Sequence, residues 1–341
     1  MAPDRPADPQ VGADGRAGAL RRPHRRPRDR APRRRITELQ LEQGQAMQAD
    51  RRKLLRLGLG SALAAGLAST LAACSRDSLD PADMDALLAR ENVPGASVAL
   101  MKDGEPAWSA SYGVKAAGGA EPVAAETRFQ AASISKVMNA LLVLALVRDG
   151  LLDLDMPVNA ALHGWQLEGI DADSVTVAML LSHTGGTNVP GFAGYPPGTP
   201  LPTILQVLDG LPPANSPPIR VERPPGGPAE YSGGGTTILQ KLVSDITGAD
   251  YASLLHRLVL DPLAMDHSSI AQPPPAGFAD FASGHDADGN TLPGGYRIHP
   301  ELAAAGLWST PSDLLRPLNA SSPRCAARPA LSCRRRWPGA W

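Results

Sequence analysis

The sequence predicts an α+β protein. Three observations carry that expectation: a strand–turn–strand signal near residue 100, helical periodicity in the segments after it, and a 341-residue chain that is 43% hydrophobic, enough for a sizeable core. Aromatic residues make up only 4%, and 34 Pro with 34 Gly point to a loop-rich chain. The length excludes a small disulfide-stapled module, and the apolar content excludes wholesale disorder. Sequence order leaves the strand pairing open.

Each element has its own signal. Residues 96–100 and 107–112 read as strands, and Lys102, Asp103, Gly104 and Glu105 between them contain the Asp-Gly turn of a β-hairpin. Val137, Leu141, Leu144 and Val147 recur at helical spacing, which predicts a helix over residues 133–148 that Asp149 and Gly150 close. Residues 189–227 are rich in Pro and Gly, with little periodicity outside 204–208, and read as a long surface excursion facing substrate. A second helix is predicted over 236–247 through Ile238, Leu239, Leu242, Val243 and Ile246, ended by Gly248, and a third over 251–260. No internal repeat is visible.

The two ends differ from the middle. Residues 1–56 carry 15 Lys or Arg against 7 acids and residues 317–341 carry 5 Arg and no acid, leaving 13 basic against 27 acidic residues in 57–316. An acidic middle is a poor match for phosphate backbones, so no nucleic-acid partner is expected. The Arg- and Pro-rich residues 1–46 read as a disordered extension. Within 47–74, Arg51, Arg52 and Lys53 precede an apolar stretch that ends in Leu71, Ala72, Ala73, Cys74. This resembles a twin-arginine export signal closed by a bacterial lipobox. The resemblance implies a lipid on Cys74, a mature chain beginning there, and a protein tethered to the membrane in the cell envelope or periplasm. An uncleaved signal anchor is the competing reading, although its 17 apolar residues are short for a span. Residues 75–324 contain no cysteine, so the domain expected over 75–315 depends on neither disulfides nor thiolates. Residues 316–341 change to an Arg, Pro, Cys and Ala mixture without period and read as an aberrant, disordered tail.

Chemistry concentrates at Ser133, Ile134, Ser135, Lys136. Residues three apart share a helix face, so the Ser133 hydroxyl and the Lys136 amine can meet. A serine hydroxyl is a weak nucleophile alone, and a neighbouring neutral amine can take its proton. Burial and the positive helix N-terminus both disfavour the ammonium, and the same terminus offers N–H groups to an oxyanion. The spacing is common by chance, and Ser133 as a plain helix cap is the competing reading.

The stretch Phe129, Gln130, Ala131, Ala132, Ser133, Ile134, Ser135, Lys136, with Gly150, Leu151, Leu152, Asp153, Leu154 and Asp155 after the helix, resembles the serine β-lactamase and penicillin-binding-protein superfamily. Its class C-like members, among them D-alanyl-D-alanine carboxypeptidases and esterases, are the nearest in pattern. Further matches follow in family order: Leu180 to Gly186 with His183, then Tyr231, Ser232, Gly233, then Asp261 to Met265, then Ala303 to Leu314. The resemblance covers residues 85–315. It implies a β-lactamase/transpeptidase-like fold, an antiparallel sheet flanked by helices with a mainly helical subdomain. It also implies that Ser133 is the acylated nucleophile, Lys136 its partner and Tyr231 a second proton-transfer group, with no cofactor. The implied substrate is a small molecule or a peptidoglycan-like ligand. A β-lactam, a D-Ala-D-Ala peptide and a simple ester stay open, as does the oligomeric state.

Two departures qualify that likeness. In the family the tyrosine opens Tyr-x-Asn, whose carboxamide contacts a substrate amide, and here Gly233 stands in its place. The family's third motif, Lys or His then x and Gly on a C-terminal strand, has no match after Leu315, so the closing strands and one oxyanion N–H are expected to be missing. Three readings follow: a serine hydrolase in truncated or frame-shifted form, a catalytically inactive binding lipoprotein, or a structural lipoprotein carrying relic motifs. His183 invites a Ser-His-Asp reading, but the chain has no Gly-x-Ser-x-Gly elbow, and the resemblance makes His183 part of a structural turn near the site. No metal is expected. The seven His are scattered, and Asp286, Ala287, Asp288, Gly289, Asn290 lacks the later Gly and Glu of a calcium loop.

Overall fold

The computed structural model describes residues 81–320 apart from Ala276. The extension expected over 1–46, the export signal over 47–74 with Cys74, and residues 321–341 lie outside the described residues. Helix α1 (Pro81–Arg90) lays Met84 and Leu88 against Tyr112, Trp108 and Val98 of a hairpin, a small apolar cluster of its own. The hairpin pairs β1 (Gly95–Lys102) with β2 (Glu105–Gly113). Its two-residue turn has φ of 56° at Asp103 and 80° at Gly104, the left-handed pair that Asp-Gly supplies and that suits the strands' twist.

Strand β3 (Phe129–Ala132) leads into helix α2 (Ser135–Arg148), which buries Met138, Leu142, Val143 and Leu146 in the main core. The helix starts two residues later than its periodicity predicts, with Ile134 at the cap and Ser133 in the turn before it. Its end follows the prediction. Gly150 takes φ of 73°, its amide donates to Val147 O at 3.0 Å, and the Leu151 amide donates to Leu146 O at 2.9 Å, a Schellman closure.

Helix α3 (Val177–Leu181) is capped by Thr176, and α4 (Ile204–Asp209) opens with a Thr203–Gln206 capping box. The reading of 189–227 as a surface excursion is corrected here. Val189, Tyr195, Ile219 and Val221 are each at most 5% exposed, and Val221 bridges to both Gly169 and Thr187. Irregular backbone carries buried side chains without a period, which is why the pattern missed them.

Helix α5 (Gly233–Thr247) begins three residues earlier than predicted and ends at Gly248 with φ of 64°. Helix α6 (Tyr251–Leu255) passes into a π-helical turn, His256–Leu260. Leu142 on α2 and Leu242 on α5 are both 0% exposed, so truncating either to Ala is expected to cost about 2–5 kcal/mol. The chain then forms α7 (Leu302–Ala305), β4 (Leu307–Ser309), α8 (Pro311–Leu314) and α9 (Arg316–Ala320). Strand β4 pairs antiparallel with β3, Phe129 opposite Ser309 and Gln130 opposite Trp308.

The α+β class stands, with one difference in detail. Among the described residues the strands form two separate antiparallel pairs, β1–β2 and β3–β4, and none joins them into one sheet. At the C-terminal boundary, the residues after Leu315 open with α9, where Arg316 Nε lies 3.5 Å from the buried carboxylate of Asp313.

Candidate active site

The turn between β3 and α2 sets the position of Ser133. Ala132, the residue before it, is left-handed at φ of 43°, a conformation that side chains other than glycine rarely adopt. Two contacts over-determine that strained corner. The Ser135 hydroxyl donates to Ala132 O and accepts the Leu307 amide of β4 at 2.9 Å. Ser133 is therefore pushed out to the surface while Ser135, two residues on, is wholly buried.

Lys136 lies one turn further along. Its Nζ donates to Ser133 Oγ at 3.1 Å and to the Ala304 carbonyl of α7 at 2.8 Å. Ser133 does not cap the helix, since the cap residue is Ile134 and makes no side-chain cap hydrogen bond. The competing reading from sequence thus falls.

Tyr231 arrives from a distant part of the chain and completes the group. Lys136 Nζ is 4.8 Å from the centre of its ring, so the phenol stands beside the amine that reaches Ser133. Burial pushes the phenol up, but the neighbouring Lys136 and Ser133 side chains and the Lys136 charge outweigh it and hold Tyr231 below the ordinary phenol value. The three residues named from the sequence share one site.

The path that carries Tyr231 there is stitched residue by residue to the 183–190 segment. The Glu230 amide donates to His183 O at 2.8 Å, the Gly233 amide to Pro190 O at 3.1 Å and the Gly234 amide to Val189 O at 2.9 Å. Ser232 caps α5 by accepting the Gly235 amide at 2.9 Å and donates to Asn188 O at 2.6 Å. This contact leaves little space at the glycines. A β-carbon at Gly233 would sit 3.1 Å from Pro190 O and 3.2 Å from the Phe192 ring, and one at Gly234 would sit 2.9 Å from Asn188 O. A carboxamide at 233 would thus need Pro190 and Phe192 to give way by a few tenths of an ångström.

His183 stacks at a tilt on Tyr231, ring centres 4.8 Å apart, and its Nδ1 accepts the Ser232 amide at 3.3 Å. Burial first, and the Lys136 charge second, hold its imidazole below the usual value. It braces Tyr231 from the turn in which the resemblance placed it. Cys74, the expected lipid site, lies outside the described residues. Sequence reasoning missed two participants, the Ala304 carbonyl and Ser135. A backbone carbonyl has no sequence signature. Ser135 stood inside the motif, but its partner is on a strand far along the chain.

A model of the Beta-lactamase family matches residues 82–338. The chain belongs to the β-lactamase family. It is 32% identical to penicillin-binding protein 4 of Amycolatopsis lactamdurans over 190 residues, 55% of this chain and 48% of that one. Among solved structures it is similar to D-alanine carboxypeptidase AmpC from Burkholderia cenocepacia, at 26% identity and a TM-score of 0.56 over 70% of this chain and 62% of that one. It is also similar to a class C β-lactamase solved in complex with cefoxitin, at 25% identity and a TM-score of 0.57 over 75% of this chain and 67% of that one. These neighbours carry the β-lactamase/transpeptidase-like fold expected from the sequence. The chain spans about half the length of the relatives it matches.

Proposed function

We propose that this family member is a serine hydrolase that works through an acyl-serine on Ser133. The observation that supports it best is the 3.1 Å hydrogen bond from Lys136 Nζ to Ser133 Oγ, with the Tyr231 ring centre 4.8 Å from the same amine. As Oγ bonds to the substrate carbonyl carbon, its proton passes to the Lys136–Tyr231 pair. The tetrahedral oxyanion then collapses, the bond to the leaving nitrogen or oxygen breaks, and the leaving group takes that proton. Water attacks the Ser133 ester with the same pair as base, which releases the acid and restores the hydroxyl. The low-lying phenol suits this exchange, since a proton acceptor works best when its pKa is near the operating pH.

The substrate is an amide or an ester of small-molecule or peptidoglycan-like kind. Ester is favoured, because Gly233 offers no carboxamide to a substrate amide and a β-carbon there would press on Pro190 and Phe192. A second reading, a binding protein without turnover, draws support from the same glycine. The run Leu71, Ala72, Ala73, Cys74 supports export and tethering through a lipid on Cys74. Palmitate labelling that survives Cys74→Ala would remove that part of the proposal.

A covalent fluorescent serine probe and an activated ester test the enzymatic reading together. The expected result is labelling at Ser133 and ester turnover, both lost in Ser133→Ala with the fold retained. Turnover that persists in Ser133→Ala overturns it. A folded chain that binds a penicillin reversibly, with no covalent adduct, selects the second reading.

A further inference from the structure

Behind the carbonyl that holds Lys136 lies a buried acid and base that the chemistry above leaves unused. Helix α7 is only four residues long, too short to persist without tertiary support. Its first turn hangs on Glu301, whose carbonyl accepts the Ala304 and Ala305 amides at 3.0 and 2.9 Å. From α5, the Gln240 carboxamide clamps the same segment, donating to Pro300 O and accepting the Ala303 amide, both at 3.0 Å. The Glu301 residue is 0% exposed, and neither carboxyl oxygen has a hydrogen-bond partner among the described residues. His299 Nδ1, also unpartnered, stands 4.0 Å from Glu301 Oε2. The imidazole is wedged in place by Gly194, where a β-carbon would come within 2.6 Å of its Cε1.

A carboxylate in such a place is costly unless it is paired or hydrated, whereas the protonated acid is tolerated. The titratable and charged groups around it are His299 on its own segment, Tyr195 opposite Ile298, and Lys136 and Arg297, whose charges act on His299. Burial pushes the Glu301 carboxyl up to about 7 and holds the His299 imidazole down to about 4. Between about pH 4 and 7 both side chains are therefore uncharged. When Glu301 ionises it must be reached by water, and the four-residue α7 that its own carbonyl anchors adjoins it directly in the chain. The Ala304 carbonyl moves with it.

We propose that Glu301 is a positioning residue for Lys136: its neutral side chain keeps α7 seated so that the Ala304 carbonyl holds the amine beside Ser133, and its ionisation unseats α7 and frees the amine. The proposal rests on the acyl-serine reading for its consequence in rate, but its cause lies in α7 and is measurable without turnover.

Two readouts test it across pH 5–9 in the whole chain and in Glu301→Gln. The first is the rate of Ser133 acylation by p-nitrophenyl acetate. The second is competitive acetylation of Lys136 by acetic anhydride, read by peptide mass spectrometry relative to Lys102. In the parent, acylation is expected to fall by about tenfold per pH unit above 7, as a one-proton switch requires, while Lys136 labelling steps upward at the same pH. In Glu301→Gln both changes disappear, with the rate at pH 6 kept within about twofold. An alkaline limb and labelling step that persist in Glu301→Gln overturn the proposal. A parent without a Lys136 labelling step near pH 7 overturns it as well, whether or not the variant folds. If Ser133 is never acylated but the labelling step appears and is lost in Glu301→Gln, the positioning role stands and the acyl-serine reading falls.

Discussion

Ser135 and Leu307 join the nucleophile's helix to strand β4: the Ser135 hydroxyl accepts the Leu307 amide at 2.9 Å while it donates to the Ala132 carbonyl. Both groups are buried, so nothing else in the described structure can replace the hydroxyl. Ser135→Ala is expected to lose about 1–3 kcal/mol, the cost of leaving a buried amide unsatisfied. Urea unfolding measures this as a lowered midpoint at unchanged slope. An unchanged midpoint would mean that this joint carries no stability.

The glycine triplet that opens α5 gives a steric prediction. Gly234→Ala brings a β-carbon to 2.9 Å from the Asn188 carbonyl, a backbone atom that cannot swing away. Gly233→Asn meets Pro190 O at 3.1 Å and the more yielding Phe192 ring at 3.2 Å. Each should cost about 1–3 kcal/mol, with Gly234→Ala the worse of the two. Restoring a carboxamide at 233 should accordingly not raise turnover of an amide substrate. A Gly233→Asn chain that melts with the parent and gains amidase activity would refute the packing argument.

Tyr231 should report on Lys136. Burial pushes its phenol up, but the neighbouring Lys136 and Ser133 side chains and the Lys136 charge hold it below the ordinary value. Removing the amine in Lys136→Met leaves burial to dominate, so the phenol should ionise at higher pH than in the parent. Tyrosinate absorbance in a pH titration, with Tyr231→Phe subtracted, follows this single group. A Tyr231 titration that does not move in Lys136→Met would separate the two side chains and weaken the shared-proton mechanism.

The His299–Glu301 pair makes a prediction about stability against pH. Glu301, raised from 4.5 to about 7, contributes stability that is fully present below pH 4.5 and is lost as pH rises through 7. His299, lowered from 6.5 to about 4, contributes stability that is fully present above pH 6.5 and is lost as pH falls through 4. Between 4.5 and 6.5 the two slopes cancel, because folding carries one proton from His299 to Glu301 without net uptake. Glu301→Gln removes one slope and leaves the other. Its unfolding free energy, relative to the parent's, should climb by about 1.4 kcal/mol per pH unit across that window. Parallel curves for parent and variant would show that the pair does not exchange a proton on folding.

Local chemistry was legible in the residues themselves. Asp103 and Gly104 specified their turn because only a few residues accept two positive φ angles in succession. Gly150 and Gly248 marked helix ends for the same reason. Apolar spacing located α2, α5 and α6, and erred by two or three residues at N-termini where the decisive contacts come from elsewhere: Leu307 at the start of α2, Asn188 and Val189 at the start of α5. The buried residues of the 189–227 stretch were invisible, since an irregular path has no period to detect.

By itself the sequence determined the α+β composition, the hairpin, the main helices, and the one-turn separation that lets Ser133 and Lys136 meet, all of which are set by neighbours within a few positions. The tertiary structure decided the rest: that Tyr231 faces the same pair, that the amine is held by the Ala304 carbonyl, and that an acid and a base are buried behind it. Short-range geometry follows from covalent reach and a small menu of backbone angles. Which distant surfaces exclude water from one another is settled only when the whole chain packs.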